Sequence, residues 1–194
     1  MYSEAFCKVY NEFGWNYFPE AFGETEFSLF VVIIYPLIAV VQGVVLSFAA
    51  FGEEFGWRGY MMPKLIELMG MPQAIIVGGI IWGLWHAPLT CVGHNFGMDY
   101  PGFPYLGIIL MCLFCTALGT VLMYVTIKTN SIWPAAFMHA VNNSMPSVLL
   151  LFMKQDVEIP LWIHTLSHIP LLIIALLCFF LMMNNMKLTQ EHTR

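Results

Sequence analysis

Two adjacent carboxylates, Glu53 and Glu54, stand at the end of a long apolar run, with Arg58 four residues beyond the second of them. A charged side chain at the centre of a bilayer costs roughly 2.5–3.5 kcal/mol on insertion scales, so such groups face a protein interior or a water-filled cavity. The spacing of Glu54 and Arg58 puts them on one face of a helix as an ion pair. Glu53 has no basic residue of its own nearby in sequence. Two further apolar segments also carry polar groups. His86 closes one, with Trp82 a turn before it. His139 and Asn143, again four apart, project from the same side of the other, beside Asn142.

These residue types point to a narrow range of chemistry. A carboxylate with a histidine can take a proton from water and later deliver one to a leaving amine. A histidine and an asparagine on another helix can donate hydrogen bonds to a tetrahedral oxyanion, worth about 3–4 kcal/mol per donor in hydrolases. Together they describe amide hydrolysis within a membrane. No serine or cysteine is placed as a nucleophile, so the attacking group is activated water. A zinc site on Glu53, His86 and His139 uses the same residues. The His-Glu-x-x-His helix that marks such sites is absent, and the expectation is a reaction without metal or other cofactor. Structural alternatives stand beside each assignment. His139, Asn142 and Asn143 could hydrogen-bond between helices, and Glu54 with Arg58 could serve only to make their helix insertable. Neither alternative accounts for Glu53.

The elements that must position these groups are helices in a membrane. The chain has 194 residues, of which 59% are apolar and 10% charged, and its mean hydropathy is +0.75. That composition describes an all-α polytopic membrane protein, with about five transmembrane or partly embedded helices around a polar interior site. Continuous apolar runs argue against a β-barrel, whose strands alternate. The net charge of −5 comes largely from five glutamates in the first 26 residues. No basic patch exists to engage nucleic acid. Five cysteines without framework spacing, Cys112 and Cys115 among them, read as packing residues.

In chain order, residues 1–26 form an acidic, aromatic segment expected at the membrane interface. Residues 27–183 form the helical core. Spans are expected at Phe27 to Phe51, continuing through Glu53 and Glu54, at Pro72 to Ala87, at Phe103 to Ile127, at Ile132 to Met153 and at Leu161 to Met183. An amphipathic stretch from Tyr60 to Met71 joins the first two. A turn-rich loop covers 89–102, a short polar loop covers Lys154 to Glu158, and 184–194 is a polar tail. With five spans, Lys8 and Lys154 fall on one side, whereas Arg58, Lys64, Lys128, Lys187 and Arg194 fall on the other. That asymmetry favours a cytoplasmic C-terminus and an external N-terminus. Because an external N-terminus without a signal peptide is unusual, the sequence is expected either to be short for its kind or to lack upstream helices.

Three stretches resemble the motifs of the CAAX prenyl protease type 2 and bacteriocin-processing (CPBP, or ABI) family. Glu53-Glu54-Phe-Gly-Trp57-Arg58-Gly59 is similar to its Glu-Glu-x-x-x-Arg motif. Ile80-Ile-Trp82-Gly-Leu-Trp85-His86-Ala-Pro88 resembles aromatic-x-x-x-His, with tryptophan where phenylalanine is usual. The segment from Ser131 through His139 to Asn143 resembles His-x-x-x-Asn. The resemblance covers roughly residues 30 to 150. It implies a glutamate-dependent intramembrane endopeptidase whose helices enclose a water-filled cavity. Glu53 would activate water with the help of His86, and His139 and Asn143 would form the oxyanion site. Glu54, Arg58 and Trp82 would support that site. Substrates would be peptides or proteins near the membrane surface, with prenylated CAAX termini the best-known class, and lipids would be the other partner. The expected location is the plasma membrane of a prokaryote. The family also contains non-catalytic immunity and scaffold proteins, which form the alternative reading; a proton-relay transporter is a third.

Overall fold

The computed structural model describes residues 33–150 and 161–192, and every regular element within them is helical. The expected interfacial segment at 1–26, the start of the first span and the loop at 154–158 lie outside the described residues. In chain order the elements are α1 (Tyr35–Glu54), a π-helix (Phe55–Met61), α2 (Met62–Met69), α3 (Met71–Trp85), α4 (Ala87–Thr90), α5 (Tyr105–Thr129), α6 (Trp133–Leu150), α7 (Leu161–Ser167) and α8 (Ile169–His192). The chain divides into two compact units, Met1–Ala50 with Phe137–Val157 and Phe51–Ala136 with Glu158–Arg194. Two of the three divisions fall within α1 and α6, and the third lies outside the described residues.

Among the described residues, three helical stretches are long and apolar enough to cross a membrane: Tyr35–Met69, Tyr105–Thr129 and Thr165–Asn184. At 1.5 Å per residue, the 25 residues of α5 extend about 37 Å, more than a hydrocarbon core of roughly 30 Å. The segment expected at Pro72 to Ala87 appears as α3, apolar but only 15 residues long. The span expected at Ile132 to Met153 appears as the 18-residue α6, which is not among the three long apolar stretches. His139, Asn142, Asn143 and Ser144 dilute its apolar content. The last expected span is broken at His168, between α7 and α8, and the polar tail continues α8 as far as His192.

Local chemistry sets these boundaries. Gly70 takes φ +80°, a backbone region that disfavours side chains, and turns the chain from α2 into α3, which Pro72 opens. Asn130 ends α5 in the left-handed conformation, at φ 49°. Pro63 near the start of α2 has no N–H for a carbonyl one turn back. The π-helix ends just before it, so the regular ladder changes register where it would in any case lose a bond.

In the unit built on 51–136 and 158–194, α3 and α5 pack with almost no separation. A Cβ added at Gly79 would lie 2.5 Å from Thr116 Cα, and one at Gly83 would lie 2.7 Å from the Cys112 backbone nitrogen. Gly79 and Gly83 are four apart, the small-x-x-x-small spacing that lets membrane helices approach closely. Trp82, Met111, Cys115, Leu118 and Leu122 fill the core between them. In the other unit, a Cβ at Gly43 on α1 would lie 2.5 Å from Val141 Cγ2 on α6, and the Tyr35 hydroxyl donates to the Met145 carbonyl at 3.1 Å.

Candidate active site

The centre of the site in the larger unit is the ion pair anticipated from the Glu54 and Arg58 spacing. Arg58 Nη1 donates to Glu54 Oε1 at 3.0 Å, with both side chains almost wholly buried. Arg58 lies within the seven-residue π-helix Phe55–Met61. Such segments are rare and occur frequently at functional sites. The guanidinium carbon stands 4.3 Å from the centre of the Trp82 ring, a cation–π contact that holds the charge from the α3 side. On the α5 side, a Cβ at Gly119 would lie 3.1 Å from Arg58 Nη2. Gly119 therefore gives the guanidinium its seat.

Glu53 differs from its neighbour. It is half-buried, and its Oε2 is buried without a hydrogen-bond partner among the described residues. Its charge acts electrostatically on Arg58 and on Cys115. Glu54 Oε2 and Arg58 Nε are likewise buried without a hydrogen bond; what sets Glu53 apart is that no ion pair among the described residues offsets the cost of keeping its carboxylate there.

His86 follows the last residue of α3. Its backbone N–H turns to the Gly83 carbonyl at 3.1 Å, and the Trp82 carbonyl is met instead by His86 Nδ1 at 2.9 Å. A carbonyl oxygen only accepts, so Nδ1 carries the proton and Nε2 presents a lone pair, the form needed to take a proton. The edge of Trp85 packs against the imidazole with 4.8 Å between ring centres, and Trp57 packs against both Trp82 and Trp85. Cys115 Sγ lies 3.9 Å from His86 Nδ1. Beside the ion pair is a cavity of about 10 Å³, lined by Trp57, Arg58, Trp82, Cys115 and Gly119 among others. That is room for about one water molecule.

The structure thus brings Glu54, Arg58, Trp82 and His86 into one unit, with Glu53 within electrostatic reach of Arg58. His139 and Asn143 belong to the other unit. There, His139 is buried on α6, and one turn later Asn143 is exposed, its Oδ1 accepting from Asn142 Nδ2 at 3.3 Å. That bond uses the Asn143 carbonyl and leaves its N–H donors unspent on Asn142. Among the described residues of each unit, no three His, Cys, Asp or Glu side chains gather as a metal-binding group.

Spacing alone did not bring out Trp57, Cys115 or Gly119. Cys115 is the packing residue expected, being fully buried in the core, yet it also touches His86. Glycines at 52, 56 and 59 ahead of Pro63 were the available sign of an irregular helix around Arg58.

The fold and site define a class: an all-helical, polytopic membrane protein that keeps a half-buried carboxylate, a buried ion pair and a histidine of fixed tautomer among apolar helices. Within that class, the chain belongs to the Type II CAAX prenyl endopeptidase Rce1-like family, whose sequence model matches residues 27–145. It is similar to CAAX prenyl protease 2 of Methanococcus maripaludis, with 43% identity over 51 residues. That match spans 26% of this chain and 19% of the relative's length. No solved structure matches the chain.

Proposed function

We propose that the chain is an intramembrane endopeptidase that hydrolyses a peptide bond near the membrane surface, using water activated by Glu53 and His86. The observation that carries this reading is the division between the two adjacent carboxylates. Glu54 is paired with Arg58 at 3.0 Å through one of its oxygens, whereas Glu53 has neither an ion-pair nor a hydrogen-bond partner among the described residues. In the reaction, Glu53 accepts a proton as the water oxygen bonds to the carbonyl carbon. His86, with its Nε2 lone pair, assists the proton transfer, and the proton passes to the departing amine as the C–N bond breaks. His139 and Asn143, assigned by motif position, donate to the oxyanion. Glu54, Arg58 and Trp82 hold the helix that carries Glu53. The reaction needs no cofactor in this reading. The substrate class is a peptide with a prenylated CAAX terminus, as the family's name suggests. The location is a prokaryotic plasma membrane with the C-terminus in the cytoplasm, supported by Lys187 and Arg194, which follow the last long apolar stretch.

The test is cleavage of a fluorogenic peptide with a farnesylated CAAX terminus by purified protein in lipid nanodiscs. Wild type should cleave it, and Glu53→Gln should lose activity by roughly 10²- to 10⁴-fold while keeping its helicity and size. Equal activity in Glu53→Gln refutes the assignment. If the protein instead acts as a non-catalytic immunity or scaffold protein, Glu53→Gln and His86→Ala leave its cellular phenotype intact. The zinc reading on Glu53, His86 and His139 predicts loss of activity on chelation and bound zinc in the purified protein; the reading proposed here predicts neither.

A further inference from the structure

We infer that Cys115 is a positioning residue for His86, acting as a second acceptor for the Nδ1 proton and so holding the imidazole with Nε2 as its basic atom. This rests on the acid–base role proposed for His86. The geometry begins with the two glycines of α3. Gly79 and Gly83 let α5 approach until Thr116 and Cys112 meet the α3 backbone, and one turn of α5 then carries Cys115 to the imidazole. Nδ1 lies 2.9 Å from the Trp82 carbonyl and 3.9 Å from Cys115 Sγ, so its proton faces two acceptors. The Trp82 carbonyl and the Trp82 and Trp85 rings meet the imidazole from its own helix. A second acceptor from another helix defines its plane. Cys115 is fully buried, so its sulfur is held in place by the core around it.

The surroundings suit a thiol here. Arg58 stands behind Trp82 at 4.3 Å from the ring centre, Glu53 acts electrostatically on Cys115, and Cys112 lies on the same helix. From α3 itself, Trp82 and Trp85 contact the imidazole with their rings. A neutral sulfur is a weak acceptor and a weak donor, so it tolerates Nδ1–H without competing for the Nε2–H form. It also packs as a small apolar group in the core, which a formal charge could not do.

Two variants separate positioning from packing. Cys115→Ala keeps a small apolar side chain and removes the acceptor; Cys115→Ser restores an acceptor but places a polar group in an apolar core. Positioning predicts that kcat falls roughly 10-fold or more in Cys115→Ala, with KM little changed, and that Cys115→Ser is the more active of the two. Packing alone predicts the reverse order, and that order overturns the inference. A second readout is ¹⁵N NMR of histidine-labelled full-length protein in nanodiscs, with His86 assigned by its loss in His86→Ala. The Trp82 carbonyl holds the Nδ1 proton in all three proteins, so each should show the Nδ1–H tautomer, and Cys115→Ala should add line broadening at His86 as the ring rocks. His86 lines as sharp in Cys115→Ala as in wild type overturn the inference. This spectrum does not depend on turnover. If wild type fails to cleave the farnesylated peptide, the proposed activity fails, while the spectrum still decides the role of Cys115.

Discussion

The Glu54–Arg58 pair should be the most consequential polar contact for folding, and its contribution can be estimated from its burial. Removing one partner of a buried pair leaves an uncompensated charge and costs about 3–5 kcal/mol. Arg58→Ala does this to Glu54, which is fully buried and bonded at 3.0 Å. It also removes the guanidinium from the Trp82 ring. Arg58→Lys keeps the charge but loses the planar fork and most of the stacking, for an expected cost of roughly 1–2 kcal/mol. Replacing both partners with leucine should recover much of the loss, because neither charge is then stranded. The molecule carries its own control in Lys64 and Glu67. They are bonded at 2.8 Å but have side chains 58% and 65% exposed, and Lys64→Ala should cost no more than about 0.5 kcal/mol. The assay is equilibrium unfolding in mixed micelles of dodecyl maltoside and sodium dodecyl sulfate, followed by circular dichroism through a Glu54/Arg58 double-mutant cycle. A coupling energy below about 1 kcal/mol, in the range of exposed pairs, refutes the argument.

The α3–α5 contact predicts that Gly83→Ala lowers stability by about 1–3 kcal/mol through overpacking. Gly56→Ala, where an added Cβ meets nothing within 4 Å, should be neutral in the same unfolding assay. A neutral Gly83→Ala would show that the two helices can separate without cost. Asn143→Ala should lower kcat about 10²- to 10³-fold if its N–H donors serve the oxyanion. Because Asn143 is exposed, stability should change by no more than about 0.5 kcal/mol. Unchanged turnover of the farnesylated peptide would remove Asn143 from the mechanism.

How much of this was legible in the sequence depends on the range over which each constraint acts. The Glu54–Arg58 pair was legible because a four-residue separation is set by helix geometry alone, and even a π-helical segment keeps the two side chains within reach. The long apolar stretches were legible because a bilayer imposes length and composition, whereas the spans expected at Pro72 to Ala87 and Ile132 to Met153 fold as a shorter apolar helix and a more polar one. The break at His168 and the helical course of the tail to His192 were not. Polar composition says where a helix leaves lipid; whether its hydrogen-bond ladder stops there is a separate matter. The Cys115–His86 contact was hidden for a different reason. It joins residues 29 apart in sequence, and its cause is the pair of glycines that let two helices approach, a packing effect with no local period.

The two glutamates show where local reasoning reaches its limit. From spacing alone, Glu54 has a partner and Glu53 has none nearby. The structure turns that asymmetry into a physical distinction: one carboxylate is paired with the guanidinium one turn on, while the other has no ion-pair or hydrogen-bond partner among the described residues. A membrane helix gains nothing in stability from such a carboxylate. Loss of Glu54 should therefore register first in unfolding, and loss of Glu53 first in turnover. That opposition is a stricter requirement than either loss by itself, because a purely structural role for both residues would make the two effects rise and fall together.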